Sequence, residues 1–133
     1  MLPAKEIMTR EVLSIKQETS VIQTIDLLLE NKISGLPVID ENEKIVGIIS
    51  EKDLLNILFR NDITVNDKVK TFMTKRVISF DENEDVTKVC EFFLKNNARR
   101  VPITQNGKLA GVISRRDILK LILMTIINSG GQA

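Results

Sequence analysis

The sequence predicts an α/β protein of the α+β type, built as two βαββα repeats packed about a pseudo-two-fold axis. Three observations predict it. An internal repeat fills nearly the whole chain, each copy alternates strand-like and helix-like patterns in the same order, and one copy alone is too short to bury a comfortable core. With Met8-Thr9 laid over Met73-Thr74, Lys5 meets Lys70, Val12 meets Val77, Ser14 meets Ser79 and Val21 meets Val86. Leu29, Asn31 and Pro37 then meet Leu94, Asn96 and Pro102. One residue is missing from the next turn of the second copy. Beyond it Gly47, Ser50, Asp53 and Leu55 meet Gly111, Ser114, Asp117 and Leu119. The copies occupy residues 4–60 and 69–127, with a polar linker, NDITVNDK, at 61–68. The last residues, 128–133, end in SGGQA and are expected to fray.

Each copy opens with a short leader, Ala4 to Met8 in the first. Val12 to Ile15 reads as a strand. Val21, Ile22, Ile25, Leu28 and Leu29 recur at helical spacing behind Thr19-Ser20, and Ser20 with Gln23 has the form of a capping box. Pro37 biases Leu36 to extended backbone, so Leu36 to Ile39 is a strand. DENEK is a turn, Ile45 to Ile49 a further strand, and Ser50 caps a helix from Glu51 to about Arg60. The second copy repeats the order: strand Val77 to Phe80, helix Asp85 to Asn96, strands Val101 to Thr104 and Leu109 to Ile113, and a helix from Arg115. Packing of two such units is expected to leave a pair of related clefts, and concave seams commonly hold ligands.

Composition narrows the function classes. The chain is 43% hydrophobic and 28% charged, enough for an ordinary core. With 19 basic and 18 acidic residues it has no charge bias towards nucleic acid or an anionic membrane. It has no Trp or Tyr on which bases would stack. The absence of His removes Ser-His-Asp and Cys-His catalysis, and the single Cys90 allows neither an internal disulfide nor a cysteine zinc cluster. Cys90 falls on an apolar helix face with Val86, Val89 and Phe93 and reads as a packed core thiol. No glycine-rich phosphate loop of the Walker type is present, so an enzyme is not expected. The most apolar stretch, Ile118 to Ile127, is shorter than the ~20 residues a bilayer requires. A cytoplasmic protein is expected, with no resident metal or required cofactor.

The segments Met8-Thr9, SGLPVID and GIISEKDLL, echoed by Met73-Thr74, ARRVPIT and GVISRRDIL, resemble the CBS domain family, named after cystathionine β-synthase. One Gly-apolar-apolar-Ser-x-x-Asp element is a weak signal; two in register, each behind its own Pro strand, are specific. The resemblance covers nearly the whole chain. It implies a Bateman module: two CBS domains in one compact body that binds AMP, ADP, ATP or S-adenosylmethionine, commonly dimerises, and regulates an attached enzyme, channel or transporter. This chain departs from that pattern in carrying no effector domain, so its output is expected to pass to a separate protein.

The resemblance places Asp53 and Asp117 at the family's ribose-binding positions. Ser-x-x-acid is equally a helix capping motif, and an acid in the first turn suits the helix dipole, so both roles stay open. Ser50 and Ser114 are expected to cap the final helices, with the amides of the first turn available to a phosphate. Arg100, two residues before Pro102, matches the family position that touches phosphate; Arg99, Arg115 and Arg116 add charge beside it. The first copy has Ser34 and Gly35 in place of Arg99 and Arg100, so two equivalent sites are not expected. Val12, Ile33, Leu36, Pro37, Val77, Ala98, Val101 and Pro102 are candidates for the adenine walls. The last helix, Ile118 to Ile127, is apolar nearly all round, and Leu54 to Phe59 are similar. A homodimer built on these helices is therefore expected. The competing reading is an interaction adaptor that binds no ligand and works through the same apolar helices.

Overall fold

A computed structural model describes residues 1–64 and 66–130 of the chain, and it divides into two compact units. The middle unit is Leu13–Val77; the outer unit joins Met1–Val12 to the chain from Ile78 onward. Both are built alike.

In the middle unit, strand β1 (Ile15–Lys16) pairs in parallel with β2 (Gly35–Ile39), and β2 pairs antiparallel with β3 (Ile45–Ser50). Helix α1 (Val21–Asn31) links β1 to β2. The Ser20 hydroxyl accepts from the Gln23 N–H at its start. Its end is set by Lys32 in left-handed geometry, φ 53°, whose N–H reaches the Leu28 and Leu29 carbonyls. Ile15, Leu28, Leu36, Val38 and Ile49 form the core with Val69 and Met73 from the second leader. That leader, a short 3-10 turn at Val69–Thr71, is held by Val69 N–H to Thr19 O and by a reciprocal backbone pair between Thr74 and Ile48.

The outer unit repeats the plan: β4 (Phe80–Asp81) parallel to β5 (Arg100–Gln105), and β5 antiparallel to β6 (Lys108–Ser114), with helix α3 (Val86–Lys95) between β4 and β5. Its core holds Val86, Val89, Phe93, Val101, Ile103, Ile113 and Ile118, completed by Ala4 and Met8 from the first leader, and Cys90 packs against it. Ala4 N–H donates to Glu84 O, Val86 N–H to Leu2 O, and Thr9 exchanges two backbone bonds with Val112. Asn106 and Gly107, both at positive φ (53° and 81°), make the tight turn of the β5–β6 hairpin. The middle unit uses a longer turn there, with the Asp40 carboxylate accepting from the Asn42 and Lys44 amides. That difference is the missing residue seen in the repeat.

The first strands differ from expectation. Val12 to Ile15 and Val77 to Phe80 read as strands, yet only Ile15–Lys16 and Phe80–Asp81 pair. The parallel ladder begins where Ile15 meets Val38 and Phe80 meets Ile103, and Leu13 and Ile78 before it are exposed. The helix expected from Glu51 to about Arg60 is α-helical only over α2 (Glu51–Leu55) and tightens to a 3-10 turn at Asn56–Phe59. Leu54 in α2 packs against the core, whereas no residue of Asn56–Phe59 is buried, so no core packing holds the wider helical pitch there. Helix α4 (Arg115–Asn128) ends at the Ser129 cap; of the tail expected to fray, 131–133 lies outside the described residues.

Candidate functional site

Both paired aspartates sit at the third position of a helix behind a serine cap. Asp117 Oδ2 accepts from the Ser114 amide at 2.8 Å and the Ser114 hydroxyl at 3.0 Å, while the Asp117 N–H donates back to Ser114 Oγ at 3.2 Å. Asp53 makes the same three contacts with Ser50, at 2.9, 3.0 and 3.2 Å. The capping role is thus met in full by one carboxylate oxygen. Each serine spends its only proton on the aspartate, so neither hydroxyl has a donor left for a phosphate oxygen.

The second oxygens differ. Asp53 Oδ1 accepts from the Thr74 hydroxyl at 3.1 Å. Among the described residues nothing donates to Asp117 Oδ1. In sequence Thr74 marks only the repeat; nothing in its spacing signals a contact with a side chain 21 residues away.

The strand register gathers the remaining outer-unit candidates. Arg100 on β5 lies opposite Ser114 on β6, and the Arg115 amide donates to the Arg99 carbonyl at 3.0 Å. Arg99 and Arg100 therefore stand at the start of β5, opposite the end of β6 from which α4 carries Asp117 three residues after Ser114. Both are exposed, as is Arg116, and among the described residues none of the three side chains has a hydrogen-bond or ion-pair partner. Arg115 is placed differently. Its Nε donates to Ala98 O at 2.9 Å, and its Nη2 to Asn96 O at 2.9 Å and Phe93 O at 3.2 Å. It ties down the end of α3 and the loop beyond.

In the middle unit the register is the same, with Gly35 opposite Ser50 and the Glu51 amide donating to Ser34 O. The charge is not. Ser34 and Gly35 stand for Arg99 and Arg100, and Glu51 and Lys52 stand for Arg115 and Arg116. At these matched positions the Asp117 side carries four arginines, whereas on the Asp53 side Glu51 and Lys52 cancel and leave no net charge.

Of the adenine-wall candidates, Val12, Ile33, Pro37, Val77 and Ala98 are partly exposed within their units. Leu36 and Val101, at 2% and 1% exposure, belong to the two cores and present almost no surface, and Pro102 is buried beside Val101. Alternation along the Pro strands points Leu36 and Val101 inward, and Pro102, next along β5, onto the other face. No helix among the described residues is long and apolar enough to cross a membrane. No group of three His, Cys, Asp or Glu there could hold a metal ion.

Comparison with known proteins agrees with this architecture. The family model of the CBS domain matches residues 4–60 and again 69–124. Protein MJ1225 of Methanocaldococcus jannaschii is 27% identical over 120 residues, which cover 90% of this chain and 42% of that protein, so the chain spans less than half its length. Among solved structures, CBSX2 in complex with AMP superposes with a TM-score of 0.83 at 29% identity, covering 94% of this chain and 98% of that one. The CBS domain pair of protein MJ0100, in complex with 5′-methylthioadenosine and S-adenosyl-L-methionine, gives 0.77 at 26% identity, covering 94% and 98%.

Proposed function

The chain belongs to the CBS domain family, and on that premise we propose that it is a regulatory module that binds an adenine nucleotide (AMP, ADP or ATP) and acts on a separate effector protein. The observation that carries the reading is the Asp117 carboxylate: one oxygen is spent on the helix cap, the other has no donor among the described residues, and the cap residue Ser114 pairs across the ladder with Arg100, whose side chain, like that of Arg99, is unpaired there. An open carboxylate oxygen accepts from ribose hydroxyls, and a guanidinium pairs with a phosphate. Arg116 completes the positive edge. Val12, Ile33, Pro37, Val77 and Ala98 each offer partly exposed apolar surface to a base within their own unit, while Leu36, Val101 and Pro102 are buried.

The AMP complex of CBSX2 and the S-adenosylmethionine complex of the MJ0100 pair support an adenosyl ligand. Between these, the arginines favour a phosphate over a sulfonium cation. The reading is non-catalytic, places the protein in the cytoplasm and has it act as a homodimer through the exposed apolar residues of α4 and of Leu54–Phe59. Ligand binding alters the output only as far as the ligand prefers one conformation over another.

The test is isothermal titration of the whole chain with AMP, ATP and S-adenosylmethionine. The unaltered protein is expected to bind AMP or ATP, and Asp117→Asn to lose about tenfold in affinity while keeping most of its cap. Absence of heat and of any thermal shift with all three at millimolar concentration would leave the second reading, a ligand-free adaptor. That reading is favoured by the apolar side chains α4 leaves exposed. Under it, Asp53→Ala and Asp117→Ala change stability by about 1 kcal/mol through the cap and nothing else.

A further inference from the structure

We propose that Thr74 sets the order in which the two aspartate positions fill: its hydroxyl occupies the Asp53 carboxylate, so an adenine nucleotide takes the Asp117 position first. The inference rests on the reading of both aspartates as ribose anchors. It adds a residue that selects between them.

The argument starts from the count of acceptor positions. Each carboxylate gives Oδ2 to its serine cap, by two contacts of 3.0 Å or less. Only Oδ1 is left to meet a vicinal diol. At Asp117 that oxygen has no donor among the described residues. At Asp53 it already accepts from Thr74 Oγ1 at 3.1 Å. A carboxylate oxygen has two lone pairs, so the threonine does not close the position. It removes half of what is left and holds the carboxylate in one orientation. A ribose arriving there must share the oxygen or displace the hydroxyl.

The asymmetry is specific to the hydroxyl. Thr9 is the counterpart of Thr74 in the repeat, and each is fixed by the same reciprocal backbone pair, Thr9 with Val112 and Thr74 with Ile48. The Thr74 hydroxyl engages its aspartate, whereas among the described residues the Thr9 hydroxyl makes no such contact. Thr74 is exposed, so replacing its hydroxyl by a methyl leaves the leader's backbone bonds and the buried Met73 in place.

The test is AMP titration in a background that isolates one position. With Asp117→Ala, only Asp53 remains, and adding Thr74→Val is expected to tighten AMP binding about 3- to 10-fold, because a charged acceptor regains its vacant lone pair. Thr74→Ser, which keeps the hydroxyl, is expected to match the Asp117→Ala parent. Thr9→Val in an Asp53→Ala background is expected to change nothing. In the otherwise unaltered chain, Thr74→Val should strengthen the second binding step alone. Equal or weaker AMP binding in the Thr74→Val, Asp117→Ala protein, with its melting temperature retained, overturns the inference while the ribose reading stands. Failure of every form to bind AMP removes that reading and this inference with it.

Discussion

At the scale of single residues, the four arginines Arg99, Arg100, Arg115 and Arg116 separate by what they already touch. Arg115 gives its Nε and Nη2 to three backbone carbonyls, whereas Arg100 has no partner among the described residues. Arg100→Ala is therefore expected to weaken AMP binding about 5- to 10-fold and leave adenosine binding nearly unchanged, since adenosine lacks the phosphate. Arg115→Ala is expected instead to lower stability by roughly 1–3 kcal/mol by stripping donors from the end of α3. Parallel titrations with AMP and adenosine, together with a melting curve for each variant, check both; equal losses for the two ligands in Arg100→Ala would end its phosphate assignment. The aspartates were legible in the sequence because their environment is local: a cap three residues away is written in the spacing Ser-x-x-Asp. The commitment of Arg115 was not, because its partners are carbonyls of residues 93, 96 and 98, and a carbonyl has no residue-type signature. Leu36 and Val101 look like wall candidates in sequence for a related reason. Period-2 alternation says that two faces exist, and only burial says which face meets the core.

At the scale of elements, β2, β3, β5, β6 and the two long internal helices were legible to within a residue or two, because each carries its own period and its own cap. β1 and β4 were not. They are pairs of residues whose strand character comes from a neighbour in the ladder rather than from their own sequence, and the apolar run before each stays outside the sheet. Helix α4 shows what periodicity leaves open. Its sequence is apolar nearly all round, yet within its unit only Ile118 is buried, while Leu119, Ile122, Leu123, Met124 and Ile127 are all exposed. An exposed row of this kind on a helix is most simply covered by the same row of a second copy, which an isologous interface supplies without any further sequence requirement. The unaltered chain is accordingly expected to sediment as a dimer at micromolar concentration. Leu123→Glu is expected to sediment as a monomer with a nearly unchanged unfolding transition, since Leu123 is 58% exposed within its own unit. A monomeric unaltered chain in the same experiment would remove the dimer from the functional reading.

At the scale of the whole molecule, the repeat in sequence and the grouping in space are cut differently. The leader that begins the first copy packs into the unit built from the second, and the leader of the second packs into the unit built from the first. The sequence carries no address for this, since the two leaders share Lys, Met and Thr at matching positions. What each leader's seat demands is legible only in three dimensions. A Cβ on Gly111 would lie 2.7 Å from Met8 Sδ and 2.8 Å from the Thr9 carbonyl oxygen, and one on Gly47 would meet Met73 Sδ at 2.5 Å. The methionine tips can swing away, but the Thr9 carbonyl is fixed by its bond from the Val112 amide. Gly111→Ala is thus expected to cost roughly 1–3 kcal/mol through overpacking against that backbone. Removing residues 1–12 altogether takes the buried Ala4 and Met8 out of the outer core and breaks the bonds of Ala4 and Lys5 to the loop after β4. The loss of Met8 alone is worth about 2–5 kcal/mol. The middle unit is one continuous stretch, Leu13–Val77, and loses none of its own core residues by that deletion. Regional hydrogen exchange on the shortened chain should therefore show protection collapsing over β4–β6, α3 and the start of α4, and persisting over α1, β2 and β3. A synthetic peptide of residues 1–12 added in excess should restore it, by binding the folded form alone. Protection lost equally in both stretches, or first in the middle one, would show that the leader serves the chain some other way than by completing the outer core.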